Sequence, residues 1–527
     1  MRSFRAPWLL AIGAAACMAA AAVWWGGLNQ DEGWYLYAAQ LVHDGKLPYR
    51  DFFFTQGPTM PFVYSVLSPV WRLAGSPLHG LLGGRVVTLL LGLAATMAAV
   101  ALVRRIVPED RRDLAGLAVF AVLGCNIYHL YFTTIPKTYA LGGLFVATGF
   151  LMLVCGLKSA APRWARVACL LASGMSLAFA SGTRISLILI LPVVGFLLLA
   201  CFREFRWSFL WFGIGGAAGL FLTYGLFALD PQSLRALVAA QGYHAARGGF
   251  DPFFAIGSVS RLMRGYAALC VLGVAALCLA RSSRQSVAAD AAGHFALWTL
   301  GLGFAAVFLL QISAPFPYDD YQVPIMGMLA VVVCAWFAKS RASGPQVHVR
   351  AGMFAVLAAC GLSFVSPLLQ EWATHAQDRF WSQKKDMTEL AKLRKMGLEI
   401  ECLDPDGTTL LTQDLYLAIE TGRTVPPGLE MGPFSYFPDW PTDKARALHV
   451  MNRDLMAELL ESAPCPLAAC SGYAFAVTAP SCRETPFDEQ KRFFGLLKKN
   501  YELADTAAKF GQNATTLLVL KRREVKK

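Results

Sequence analysis

Apolar residues in this chain gather into runs of about 20, the length that crosses a hydrocarbon core of roughly 30 Å. The first is an Ala-rich run ending at Val23; others fall near 82–103, 114–131, 138–157, 167–182, 185–201, 208–228, 262–280, 294–313, 322–338 and 351–369. From Glu371 onward the runs shorten and charge rises. Helical periodicity then recurs at 383–397, 443–462 and 487–499, and strand-like runs occur at Thr408–Thr412, Tyr473–Thr478 and Thr515–Leu520. The pattern predicts an all-α polytopic membrane bundle of about eleven transmembrane helices over 1–370. An extracytoplasmic α/β domain follows over 371–527, and the first outer loop occupies 29–80.

Composition agrees: 56% of residues are hydrophobic and 16% charged, against roughly 25% charged in soluble domains. The formal net charge of +12 does not indicate nucleic acid as a partner. Lys and Arg collect in short links, at Arg104-Arg105 with Arg111-Arg112, Lys158 to Arg166, Arg203 to Arg206, Arg281 to Arg284 and Lys339 to Arg350. Basic links on alternate sides are the positive-inside pattern. They place the N-terminus in the cytoplasm and the C-terminal domain outside, in a membrane most consistent with a bacterial inner membrane. The N-terminal run has signal-peptide features, but Trp24-Trp25 at its end reads as the interfacial belt of a retained span. Of 13 cysteines, those from Cys17 to Cys360 lie in apolar runs and behave as small hydrophobes. Cys402, Cys465, Cys470 and Cys482 fit no zinc spacing, and in an outside domain they predict one or two disulfides.

Chemistry concentrates at the outer ends of the spans. Asp31-Glu32 directly follows the first run and opens an amphipathic stretch through Tyr35 to Asp44-Gly45, after which the chain reaches Gln56-Gly57-Pro58. Capping of a helix by Asp31 is the plainer account of that residue, but it leaves Glu32 unexplained. Lys137, Arg184, Arg247, Arg261, Arg264 and Arg85 stand on the outer side, against the charge rule. Singly, each could snorkel to headgroups; together they suit a lipid phosphate, which needs several donors. The Tyr318-Asp319-Asp320-Tyr321-Gln322 link suits a hydroxyl-rich ligand or a cation, or is a solvated turn. Phosphate-loop, nucleophile-elbow and His-Glu-x-x-His motifs do not occur, so nucleotide-dependent and zinc-hydrolase chemistry lacks support.

The Asp-Glu pair, the Gly45 to Phe52 stretch, Thr55-Gln-Gly-Pro, the segment around Arg85, the Pro136-Lys137-Thr138-Tyr139 span start and the Gly174 to Arg184 helix resemble type-C membrane glycosyltransferases. The likeness is to the dolichyl-phosphate-mannose protein mannosyltransferases and the lipid A aminoarabinose transferases, and it covers about residues 1–370. It implies a polyprenyl-phosphate sugar donor and a lipid, glycan or protein acceptor at the outer membrane face. Carried over by position, Asp31 is the general base, with Glu32 assisting or binding an ion. Lys137 and Arg184 hold the donor phosphate; Arg247 and Arg264 join them as candidates on their outward charge alone, not on the resemblance. Tyr35, Gln56, Asp319 and Asp320 line the substrate. Many relatives carry an acidic residue after the third span; Thr133 to Lys137 has none. No cofactor is required, although a divalent cation is compatible with the acidic pair. Chemistry agrees independently: a phosphate leaves as a stable anion and needs cations rather than an acid, and the acceptor needs one base. Direct displacement would invert the anomeric centre. The rival readings are a transporter or flippase for lipid-linked glycans, which would place ionisable groups near mid-membrane, and a catalytically silent scaffold.

Overall fold

The fold is taken from a computed structural model that describes residues 4–72, 80–158, 162–245, 249–280, 290–340, 344–369, 387–471, 477–478, 483–484, 486–512 and 514–523. Arg247, Arg281 to Arg284, residues 473–476, Cys482 and Glu524 to Lys527 lie outside the described residues. All eleven apolar runs are helical, but they are not eleven equal spans. Among the described residues, eight helices are long and apolar enough to cross a membrane, or up to ten if each of two bent pairs counts as one. The chain is an integral membrane protein. The bent pairs are Glu109–Gly124 with Ile127–Thr134, broken by 64°, and Pro252–Gly265 with Ala267–Cys278, broken by 81°. The expected 185–201 span is corrected. Ile185–Leu189 winds as a 3₁₀ helix, leaving Ile190–Ala200 as an α-helix of 11 residues, only about 16 Å long.

The chain forms two compact units. The first comprises Met1–Val23, Thr88–Gly225 and Phe250–Lys384. Its core is aliphatic and aromatic, from Phe4 through Leu153, Leu177 and Val307 to Leu369. Membrane helices gain little from apolar burial against one another, so close backbone approach must hold them together. The Arg163–Thr183 and Ser208–Ala228 helices achieve this with glycine. A Cβ at Gly174 would lie 2.1 Å from the Phe212 carbonyl, one at Gly215 would lie 2.1 Å from the Leu171 carbonyl, and one at Gly219 would lie 2.6 Å from Ala178 Cβ. Gly215 and Gly219 form a small-xxx-small pair. Gly215→Leu should therefore cost more than the ~1–3 kcal/mol of ordinary overpacking. Thermal unfolding in detergent checks this, with Gly213→Leu, which meets nothing within 4 Å, as the neutral comparison.

The two bent pairs lock together at their breaks. Asn126 caps the Ile127–Thr134 helix by accepting from the Tyr128 and His129 amides. Its Nδ2 donates 3.0 Å to the Gly265 carbonyl, at the other break. Ser363 Oγ bridges the same place, donating to the Cys125 carbonyl and accepting from the Ile127 amide. His129 Nδ1 lies 2.8 Å from Tyr266 Oη. Backbone groups freed by the bends are thus satisfied inside the bundle, as lipid demands.

The second unit comprises Trp24–Val87, Leu226–Gly249 and Lys385–Lys527. Its sheet orders the strands Leu411–Thr412, Leu467–Cys470, Thr515–Arg522 and Tyr501–Phe510. The first two pair in parallel, and the remaining pairs are antiparallel, with Ala468 opposite Leu520 and Ala507 opposite Leu517. The helices Glu389–Leu403, Leu415–Thr421, Arg453–Ser462 and Phe487–Asn500 belong to the same unit. The predicted 443–462 helix is two, Thr442–Ala447 and Arg453–Ser462, with His449 at φ +54° between them. Tyr501–Phe510 is a strand that the pattern does not predict; its interior is mostly exposed, so no apolar alternation announces it. The expected disulfides are corrected for three of the four cysteines, because Cys402, Cys465 and Cys470 are free thiols.

Candidate active site

In the second unit the acidic pair opens the Gln30–His43 helix, but Asp31 is not its cap. Asn29 is: its side chain accepts from the Asp31 amide at 3.0 Å, while Glu32 reaches back to accept from the Asn29 amide at 2.9 Å. This is a capping box with a non-standard cap residue. The helix ends as expected, at Asp44-Gly45, where Gly45 takes φ +87°. Glu32 has a second partner. Arg85 Nε donates to Oε2 at 2.6 Å and Nη2 to Oε1 at 2.7 Å, and the guanidinium also donates to the Gly26 and Gly27 carbonyls at 3.0 Å each. The pair is essentially unexposed, at 1% and 0%. Arg85 is thereby absorbed in fixing the entry of the first loop, and Glu32 with it.

Asp31 has a different setting. It is half-buried, and its Oδ1 accepts from Trp34 Nε1 at 3.1 Å. Tyr35 stacks on Trp34 with ring centroids 3.7 Å apart, and Phe54 meets both rings edge-on. Gln56 is half-buried, and its carbonyl accepts from Tyr49 Oη, while the neighbouring Thr55 carbonyl accepts from Gln241 Nε2 at 3.4 Å. Behind this helix, a Cβ on Gly33 would lie 2.4 Å from the Tyr416 backbone nitrogen, so only glycine fits. Tyr37 Oη accepts from the Val425 amide at 3.0 Å.

Glu420 and Glu430 are among the further buried carboxylates of this unit. Burial raises Glu420 and Glu430 from the ordinary 4.5 to about 7, although each accepts a backbone amide, from Leu81 and Gly428 respectively. A folded value above the unfolded one gives stability that is complete below pH 4.5 and is lost as pH rises towards 7. Each group should cost about 3 kcal/mol across that window. The melting temperature should therefore fall from pH 5 to pH 8, and Glu420→Gln with Glu430→Gln should remove most of the fall.

The first unit carries the second constellation. Lys137 stands in extended conformation immediately before the Thr138–Leu157 helix, and Arg184 immediately after Arg163–Thr183. Asp319 and Asp320 open a 3₁₀ turn, Asp319–Ile325, that leads into Met326–Lys339. Asp320 Oδ2 accepts from Lys137 Nζ at 3.2 Å and from Tyr139 Oη at 2.9 Å. The Arg184 guanidinium lies 4.1 Å from the Tyr321 ring centroid and 5.5 Å from that of Tyr139. Asp319 accepts from Tyr128 Oη at 2.6 Å and from Arg261 Nε at 3.0 Å. Lys137, Arg184, Asp319 and Asp320 are thus brought together, with Tyr128, Tyr139 and Tyr321 between them. Arg261 pairs with Asp319, and Arg264 is half-buried near the end of the same helix. Asp251 caps that helix, accepting from the Phe253 and Phe254 amides. Tyr128 and Tyr139 carry no sequence signal beyond standing in an apolar run and beside Lys137. Among the described residues, no three His, Cys, Asp or Glu side chains converge as a metal ion would require.

The fold is that of the type-C membrane glycosyltransferases. Among solved structures, ArnT from Cupriavidus metallidurans in the apo state matches with a TM-score of 0.61 and 13% identity, covering 97% of both chains. The same protein bound to undecaprenyl phosphate matches at 0.58 and 13%, again over 97% of both. The Archaeoglobus fulgidus oligosaccharyltransferase matches at 0.50 and 12%, over 99% of this chain and 75% of that one. No family model and no curated protein matches the sequence. At such identities the likeness is one of fold.

Proposed function

We propose that this chain is a membrane glycosyltransferase that moves a sugar from a polyprenyl-phosphate donor to an acceptor hydroxyl at the outer membrane face. The acceptor is a lipid, glycan or protein. The observation that carries the reading is the pair of a buried Lys137 and a half-buried Arg184 on the Tyr139 ring, with Asp320 beside Lys137, in the first unit of a type-C fold. Ionisable groups buried inside a membrane protein, rather than snorkelling to its surface, usually mark a functional site. An anionic lipid headgroup is the ligand such donors suit. One structure with this fold, ArnT, was solved with undecaprenyl phosphate bound.

The reaction needs little else. The acceptor oxygen attacks the anomeric carbon as the carbon–oxygen bond to phosphate breaks, and the bonding pair stays on the phosphate oxygen. Lys137 and Arg184 stabilise the charge that develops there. The acceptor proton passes to a carboxylate base, assigned to Asp31, which unlike Glu32 is half-exposed and is not locked onto Arg85. A single displacement inverts the anomeric centre. The orientation that follows has the N-terminus in the cytoplasm and the second unit's C-terminal residues outside.

Labelled polyprenyl-monophosphate sugars, supplied to membranes containing the protein with lipid extract as acceptor, test the reading. Label should move to an acceptor with release of polyprenyl phosphate and the opposite anomeric configuration. Donor consumed with retained configuration would refute the single displacement. Translocation of an intact lipid-linked sugar without transfer would replace the enzyme by a flippase.

A further inference from the structure

Asp320 is out of place in a site built to hold an anion. Its carboxylate lies 3.2 Å from Lys137 Nζ, the cation that would meet the phosphate, and it is only 14% exposed. Lys137 Nζ also lies 5.0 Å from the Tyr139 ring centroid and 5.9 Å from that of Phe132, so Asp320 is not its only neighbour. Asp320 is also fixed, because the same Oδ2 accepts from Tyr139 Oη at 2.9 Å. Its neighbour Asp319 has a separate cation, Arg261, at 3.0 Å. Lys137 and Arg184 together bring two positive charges, Asp320 removes one, and the Asp319–Arg261 pair cancels. These five residues therefore offer one net positive charge.

We propose that Asp320 is a charge-matching residue, which sets this cluster to hold a singly charged phosphodiester in preference to a doubly charged phosphate monoester or diphosphate. The proposal rests on the reading of the cluster as the donor-phosphate site. Sugar on one phosphate is a diester with a single charge. Polyprenyl phosphate is a monoester carrying about −1.5 to −2 near neutral pH. In a desolvated site an unmatched unit charge costs orders of magnitude in affinity, whereas at an exposed one it is screened. The same balance acts after transfer. When the carbon–oxygen bond breaks, its electron pair remains on phosphate and the acceptor proton goes to the base, so the product has one more negative charge than the donor. A cluster of net charge +1 then releases polyprenyl phosphate more readily than a site with Lys137 and Arg184 alone.

Binding of three probes to full-length protein in nanodiscs at pH 8 tests this: polyprenyl phosphate, its methyl phosphodiester and polyprenyl diphosphate. Wild type should bind the methyl diester at least as tightly as the monoester. Asp320→Asn should shift the affinity ratio by about tenfold or more away from the diester and towards the two more highly charged probes. Asp320→Glu, which keeps the charge, should preserve the wild-type ratio, and Tyr139→Phe should weaken all three probes without changing it. A wild type that prefers the monoester or the diphosphate tenfold would overturn the proposal without any variant. So would an Asp320→Asn protein whose affinities all change in proportion, since Asp320 would then only position Lys137. Failure of wild type to bind any of the probes would instead remove the donor-phosphate reading itself.

Discussion

Replacing Asp31 by asparagine is expected to lower sugar transfer by about 10²- to 10⁴-fold, the usual contribution of a general base, with thermal stability and donor binding little changed. The structure makes this substitution unusually clean. Asn29, not Asp31, caps the helix, so no cap is lost. Asparagine keeps a carbonyl oxygen where Asp31 Oδ1 accepts from Trp34 Nε1 at 3.1 Å. What disappears is the capacity to take a proton. Single-turnover transfer with labelled donor, alongside donor binding, separates the two effects. Unchanged turnover in a folded Asp31→Asn protein would take the base away from this residue and leave it as a partner of Trp34.

Glu32, one residue along, should respond in the opposite way. Glu32→Gln or Arg85→Gln is expected to cost about 3–5 kcal/mol, because each strands a charge that is almost wholly buried. The folded fraction that survives should still transfer sugar. The double replacement Glu32→Leu with Arg85→Met should be less destabilised than either single one, since no charge is left unpaired. Melting temperatures of wild type, the two single variants and the double one make the comparison. A fully stable Glu32→Gln protein without activity would return Glu32 to the chemistry.

Much of this could be read from the sequence because lipid imposes a simple grammar. Apolar runs of span length became helices, and the eleven runs are all there. What periodicity could not show is where a run breaks. Asn126 and Gly265 bend their helices by capping and by a freed carbonyl, neither of which changes hydropathy. The strand Tyr501–Phe510 was hidden for the converse reason: it is stabilised by its partner's backbone, not by a buried stripe. At the candidate site, charge against the positive-inside pattern singled out Lys137 and Arg184, which both lie against the Tyr139 ring. It also singled out Arg85, whose partner is the very Glu32 that its place beside Asp31 offers for chemistry. Adjacent carboxylates look alike in a sequence; only the distance to a guanidinium tells them apart. Of the tyrosines that link the cluster, Tyr128 could not be singled out, because an aromatic in a membrane run is ordinarily part of the core.

The junction of the two broken helices bears on how the bundle is built. The Gly265 carbonyl accepts from an amide 139 residues earlier in the chain. During synthesis, the helix carrying Asn126 enters the bilayer long before the segment that completes this bond has left the ribosome. Until then one of the two amide hydrogens on Asn126 lacks its native acceptor in a medium that offers no water. The early spans must therefore wait in an incompletely satisfied arrangement, and the insertion of 252–278 is the event that closes it.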